Sequence, residues 1–288
     1  MEKIFFYKMS GAGNDFILID KNLNPDFSLD SKSIKRLCDR RNGIGADGVI
    51  TIANSNTYDF DMQYYNADGS TGSLCGNGAR CAIKFAGVSG RIKNGNTSFL
   101  SNGQLYSGEI LNGDEIKFFF NSPRRLKTNF IISAGKQMIN SSFVDTGSPH
   151  VVINIEDIFK DAGDPESKYN NLDDVPVLEI GREIRYHKDF EPGGTNVNFI
   201  KLVDNNLHIR TYERGVEDET LACGTGATAS AIIGHSLFGI KPPIKLITRG
   251  GDELVVDYEL ENHSVKNLSL TGPAKVTFTG ELLLNQYF

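Results

Sequence analysis

The sequence predicts an α+β fold of two pseudo-symmetric halves, each with a helix packed on a curved sheet. Three observations carry that reading. One stretch occurs twice, about half the chain apart: residues 74–85 read LCGNGARCAIKF and residues 222–233 read ACGTGATASAII. Each copy has a Cys, then Gly-x-Gly-Ala, then small and apolar residues. Each is also flanked on both sides by short apolar or alternating runs of strand character.

In chain order, residues 4–9 (IFFYKM) and 16–20 (FILID) read as strands around the loop SGAGND. An amphipathic helix follows over about 31–41, capped by Asp30 or Ser31 and ended by Gly43. GVITIA (48–53) reads as a buried strand and DFDMQYYN (59–66) as an alternating one. The turn ADGSTG leads to Cys75 and a helix to about Ala86. Residues 98–120 read as short strands with an Asn112-Gly113 hairpin turn. The polar, Pro-containing stretch NSPRRLK (121–127) is the best boundary, which places domains at 1–122 and 123–276.

The second half opens on strands that include FVDTG and HVVIN. A short helix near 155–162, a polar loop and a helix near 178–187 follow. GGTNVNFIKLV and LHIRTYERG read as strands joined at Asn205-Asn206. EDETLA leads into Cys223 and a helix to about Phe238, and the remainder is strand and turn.

The chain has 288 residues, 39% hydrophobic and 23% charged, with net charge −6. This is the composition of a globular protein of one or two domains. No basic run points to nucleic acid, and no apolar stretch approaches the ~20 residues of a membrane span. The apolar run at the N-terminus is too short for a signal peptide, so the expected location is cytoplasmic. The cysteines at 38, 75, 81 and 223 have no C-x-x-C spacing, and the five histidines do not cluster with them. A structural zinc site or disulfide is not expected, and no metal site is assigned. Cys38 and Cys81 read as packing residues within helical patterns.

The repeated turn favours chemistry. Glycines allow close approach of a ligand, and the first N–H groups of a helix can hold a carboxylate at the positive end of its dipole. A Cys there is expected to ionise below its free value of ~8.5. One such Cys reads more simply as a small buried hydrophobe; two, each in the same turn, favour function. If the repeat is a true dyad, the two thiols face each other across the cleft between the halves. A carbon held between them can lose a proton to one and gain one from the other, which inverts it. The matched surroundings suit thiols that exchange acid and base roles. Backbone N–H groups of Gly76, Asn77, Gly224 and Thr225 could hold the carboxylate on that carbon.

Six motifs carry a resemblance over essentially the whole chain: KMSGAGNDFILID (8–20), GIGADGVI (43–50), YYNADGSTGSLCGNGARC (64–81), GSPHVV (147–152), GGTNVNFI (193–200) and RTYERGVEDETLACGTGA (210–227). In this order they are similar to the diaminopimelate epimerase family, cofactor-independent isomerases of lysine and peptidoglycan precursor synthesis. The resemblance implies two similar domains, each a curved, mostly antiparallel sheet wrapped around a central helix, with the active site in the cleft between them. It implies that the last strand, about 277–288, returns to the first domain. It makes Cys75 and Cys223 the acid/base pair, with His150 and Glu213 each beside one thiol. It implies that Asn14, Asn66, Asn196 and Arg214 hold the far end of the substrate, diaminopimelate. No cofactor is implied. A homodimer is compatible with the sequence, which does not itself require one.

Two positions depart from the family pattern. Ser148 stands where Asn usually precedes Pro-His at a substrate-contacting position, and the loop 216–220 is one residue longer than usual. Rival readings are weaker. GTGATA (224–229) fits a loose dinucleotide motif, but polar EDETLA stands where a strand should run into the first Gly. A thiol redox or metal-binding module would use the same cysteines. A proline racemase-type enzyme shares the two-thiol logic, but CGNGAR and Arg214 favour the diaminopimelate reading.

Overall fold

The computed structural model describes residues 3–25, 27–72, 75–262 and 264–283. The chain forms two compact units, Met1–Phe119 with Thr271–Phe288, and Phe120–Leu270. The expected returning strand over 277–288 lies outside the described residues beyond 283.

The first unit runs β1 (Lys3–Gly11), β2 (Asn14–Asp20), α1 (Ser31–Cys38), β3 (Gly48–Ala53), β4 (Phe60–Asn66), α2 (Gly76–Val88), β5 (Asn96–Ser101), β6 (Gln104–Asn112) and β7 (Glu115–Phe119). The second runs β8 (Arg124–Ala134), β9 (Gln137–Asp145), β10 (Pro149–Asn154), α3 (Val177–Arg185), β11 (Asn196–Val203), β12 (Asn206–Glu213), β13 (Asp218–Thr220), α4 (Gly224–Phe238), β14 (Ile244–Ile247) and β15 (Glu253–Glu261). Then come β16 (Ser264–Pro273), across the unit boundary, and β17 (Lys275–Leu283), which pairs antiparallel with β1.

The same order of pairings recurs in each unit. Antiparallel β1–β2 leads through α1 to parallel β2–β3, then antiparallel β3–β4, then through α2 to parallel β4–β5 and antiparallel β5–β6. Antiparallel β9–β10 leads through α3 to parallel β10–β11, antiparallel β11–β12, and through α4 to parallel β12–β14 and antiparallel β14–β15. A parallel neighbour cannot be reached by a tight turn, so each needs a crossover, and both Cys-headed helices are such crossovers.

The strands beside the helices are covered on both faces in β2, β3 and β11. In β2, Ile17 and Ile19 pack with Ile34 and Leu37 of α1, while Phe16 and Leu18 are buried on the opposite face. In β11, Val197 and Phe199 pack with Ile180 and Ile184 of α3. Two-sided burial explains the continuous apolar run GVITIA. The repeat helices are central: α2 is buried at every position from Gly76 to Ala86 except Lys84, and α4 from Gly224 to Gly234 without a break. Helices buried this completely present no broad solvent face, and the polar Asn77 and Arg80 of α2 pair with each other.

Some boundaries differ from expectation. α1 ends at Cys38 because the Asp39 carboxylate accepts from the N–H groups of Arg41 and Asn42. This local turn competes with further helix. The segment 155–162 gives only a short 3-10 turn, Ile155–Asp157. Both expected hairpin turns sit one residue away. Val203 pairs with Asn206, so the turn is Asp204-Asn205, both at positive φ (48° and 63°). Asn112 pairs with Glu115, leaving Gly113 and Asp114 to turn. Strand register decides between adjacent turn-forming pairs. None of the described helices is long and apolar enough to cross a membrane.

Candidate active site

Cys75 is the N-cap of α2 (φ −105°, ψ 114°) and Cys223 the N-cap of α4 (φ −125°, ψ 111°). In each helix the cap carbonyl accepts from the residue four positions on, Ala79 or Ala227, at 2.8 Å. The backbones match, so Gly76 and Asn77 in one unit and Gly224 and Thr225 in the other occupy the same first-turn places. There the N–H groups have no carbonyl of their own helix to meet, which suits a carboxylate. Good caps are hydroxyl or carboxylate side chains worth ~1 kcal/mol. A thiol at both caps gives up part of that, which fits selection for its reactivity.

Each sulfur takes part in a hydrogen bond at the head of its helix. Cys75 is half-buried and its Sγ accepts from Gly78 N–H at 3.4 Å. Cys223 is buried, and its Sγ lies 3.4 Å from the Thr225 hydroxyl. Thr225 Oγ1 in turn lies 2.9 Å from His150 Nε2.

Period-two alternation puts the rest of this constellation on one sheet face. His150 pairs with Asn196 across β10 and β11, and Asn198 pairs with Thr211 across β11 and β12. All four sit on the face toward α4, while Val151, Val197, Phe199 and Tyr212 face α3. Asn198 Nδ2 contacts His150 Nδ1 at 3.0 Å, and its Oδ1 accepts from Thr211 Oγ1 at 3.0 Å. Neither Asn198 nor Thr211 was singled out from the sequence. The signal was available: Asn198 lies two residues from Asn196, hence on the same face.

His150 is completely buried. Burial first, and then the positive charge of Arg214, push its pKa down to about 3. The native imidazole is therefore neutral, whereas the unfolded chain takes up a proton below about pH 6.5. Stability from this group is complete above that range and is lost as pH falls toward the native value. Urea midpoints of wild type should fall from about pH 6.5 to about pH 4 more steeply than those of His150→Gln. Equal slopes would remove His150 from the acid response.

In the first unit, Asn14 opens β2 and its amide donates to Asp47 at 3.0 Å. Its carbonyl oxygen accepts from Asn77, whose own oxygen accepts from the buried Arg80 at 2.9 Å. Behind Asn14 lies a charged cluster: Asp15 meets Lys8 and Arg40 at 2.7 Å each, and Arg40 meets Asp47 at 2.7 Å. Burial alone would raise the Asp15 pKa, but Arg40 and Lys8 outweigh it and bring it to about 2. Asn66 ends β4, with its amide donating to Ser70 Oγ at 3.0 Å.

The sequence matches the profile of the family described as Diaminopimelate epimerase over residues 6–111 and 142–277. It is 39% identical over 279 residues to the diaminopimelate epimerase of Chlorobaculum tepidum, covering 96% of this chain and 100% of that protein. It is 37% identical to the diaminopimelate epimerase of Aquifex aeolicus, covering 96% and 97%.

The chain belongs to the diaminopimelate epimerase family.

The fold is shared more widely. A phenazine biosynthesis protein of the PhzF family from Bacillus anthracis superposes with a TM-score of 0.71 at 15% identity, over 98% of this chain and 100% of that one. A probable proline racemase from Agrobacterium radiobacter, with bound carbonate, gives a TM-score of 0.71 at 12% identity, over 98% and 93%. At these identities the likeness concerns fold alone.

The two departures from the diaminopimelate epimerase pattern have defined surroundings. Ser148 Oγ accepts from Asn196 Nδ2 at 2.9 Å. The same amide group donates to Pro149 O at 2.8 Å, and its Oδ1 accepts from Arg214 N–H at 2.9 Å. Asn196 thus ties the Ser148 turn to the backbone of Arg214. The longer loop is anchored by Glu217, which takes up φ +60°. Its carboxylate accepts from Gly215 N–H and Arg185 Nε at 3.0 Å each, and its carbonyl accepts from Tyr212 Oη at 3.0 Å. Glu213 accepts from Thr220 Oγ1 at 2.8 Å. Arg214 Nη1 donates to Gly193 O at 3.3 Å. Cys38 and Cys81 are buried, and burial pushes each thiol up to about 12. They are inert at neutral pH.

Proposed function

We propose that Cys75 and Cys223 are the acid/base pair of a diaminopimelate epimerase acting in lysine and peptidoglycan precursor biosynthesis in the cytoplasm. The observation that carries this reading is the paired backbone frame: a cysteine N-cap, Gly-x-Gly, and the same cap hydrogen bond at 2.8 Å in both units. In one direction a thiolate takes the α-proton of the LL substrate. The S–H bond forms as the Cα–H bond breaks, and the electron pair remains on the carbon and its carboxylate. The second thiol delivers its proton to the opposite face, which gives the meso product and leaves that sulfur ionised. The reverse reaction exchanges the roles. N–H groups of Gly76, Asn77, Gly224 and Thr225 hold the carboxylate where charge develops. Burial strengthens each of these dipoles relative to water.

His150 serves the Cys223 side through Thr225. Arg214 is assigned to the distal carboxylate, where a planar fork gives two parallel hydrogen bonds. Asn14, Asn66, Asn196 and Ser148 border the distal ammonium and carboxylate in this reading, and Glu213 is assigned to help set the protonation of a thiol.

The test is turnover of the LL and meso isomers in D2O, beside a panel that includes proline. The delivered proton sits on a thiol that exchanged with solvent before substrate bound. First-turnover product should carry deuterium at the inverted α-carbon, while substrate recovered early stays largely protiated. Original proton retained in product, from either isomer, would show a single base serving both faces. Turnover of proline in preference to diaminopimelate would replace the substrate assignment.

A further inference from the structure

Asn198 has no assigned role, yet it lies at the centre of the polar face beneath Cys223. All of its hydrogen-bonding directions but one are used. Nδ2 approaches Val151 O at 3.0 Å and His150 Nδ1 at 3.0 Å, and Oδ1 accepts from Thr211 Oγ1 at 3.0 Å. Val151 O can only accept, so the atom facing it must be the amide nitrogen. A reversed amide would set two oxygens against each other in a buried place. That carbonyl therefore decides which way the Asn198 side chain points.

The orientation propagates. The amide presents N–H to His150 Nδ1, so Nδ1 must carry the lone pair. The buried imidazole is neutral, so its single proton is on Nε2. Nε2–H then donates to Thr225 Oγ1 across 2.9 Å. With its oxygen accepting from His150, the Thr225 hydroxyl has its own proton to offer to Cys223 Sγ at 3.4 Å. The charged side chains that follow on this strand and its loop are Glu213, which accepts from Thr220, and Arg214, which acts on His150 electrostatically.

We infer that Asn198 is a positioning residue that fixes the His150 tautomer, so that Thr225 donates a hydrogen bond to the Cys223 sulfur and favours its thiolate. The inference deepens the epimerase reading, in which Cys223 must serve as a base. Cys223 Sγ meets a hydroxyl whose direction depends on the imidazole. The opposite tautomer would turn that hydroxyl toward Nε2 and leave the sulfur without it.

The first test uses the unaltered chain. Long-range proton–nitrogen spectra of histidine-labelled protein at neutral pH, with the His150 signals identified by their loss in His150→Gln, should show Nε2 protonated and Nδ1 bare. A proton on Nδ1, alone or as imidazolium, overturns the inference. The second test is iodoacetamide alkylation of Cys223, mapped by mass. The rate at neutral pH is divided by the rate at high pH, where the thiol is fully ionised, which removes accessibility from the comparison. Thr225→Val should lower this ratio about tenfold, in line with loss of one hydrogen bond to a charged group. Thr225→Ser should restore it, and Asn198→Leu should lower it in the same direction. A wild-type ratio in Thr225→Val overturns the inference. Neither readout needs turnover. An inactive wild type with the stated tautomer would sink the epimerase reading alone, and an active one with Nδ1 protonated would sink only this inference.

Discussion

Replacing Cys75 or Cys223 with Ala is expected to lower epimerisation by about 10³-fold or more in both directions while the chain stays folded. General acid–base assistance at one site typically contributes 10²–10⁴-fold, and each thiol serves a different face, so neither can substitute for the other. The fold should tolerate the change. Each Cys stands at a helix cap rather than deep within a helix, and removal of a weak cap costs on the order of 1 kcal/mol. Cys38→Ala removes a packed thiol and should leave kcat close to wild type, because that sulfur is buried with its thiol pushed up to about 12. The measurement is kcat from LL and from meso substrate beside a urea midpoint. A folded Cys75→Ala or Cys223→Ala enzyme with near wild-type turnover would remove that residue from the mechanism.

Gly226→Ala is expected to lower turnover sharply, because the added methyl lands on the groups around Cys223. A Cβ there would stand 2.4 Å from Asn198 Oδ1 and 3.3 Å from both Cβ and Sγ of Cys223. The Asn198 amide cannot withdraw, because Thr211, Val151 and His150 hold it. Overpacking of this kind costs about 1–3 kcal/mol, against at most ~1 kcal/mol gained from the better helix former. The clash wins, and the displaced groups are those around the sulfur. A shift near 1 Å there costs about 10²-fold in rate. The matched Gly78→Ala should be milder, since its Cβ meets Ile50 Cδ1 at 3.3 Å and Cys75 Sγ only at 3.7 Å. Comparable rates for Gly226→Ala and wild type would mean that the Asn198 network yields freely.

The legible parts of the chain were those in which local chemistry and periodicity agree. The stretches after Cys75 and Cys223 read as helices to about Ala86 and Phe238 because a Gly-x-Gly start precedes small and apolar residues, and the helices run Gly76–Val88 and Gly224–Phe238. β3 read as a buried strand because a sheet covered on both faces leaves a continuous apolar run. The turns after β6 and β11 were displaced by one residue because Asn112 and Asn206 are as suited to turning as their neighbours. Only pairing with Glu115 and Val203 keeps them in strand.

Family membership, the two cysteines and their glycine-rich turns follow from the sequence by itself, because a repeated motif of uncommon composition is a local property. What only the tertiary structure decided is the line of hydrogen bonds that leads to the Cys223 sulfur. Asn198, Thr211, His150 and Thr225 come from three strands and a helix, and their residue types alone would suit ordinary strand or turn positions. They become one hydrogen-bonded line because β10, β11 and β12 pair in a single register with α4 against the same face. Register is a non-local quantity, and a slip of one residue would turn each of these strand side chains to the opposite face.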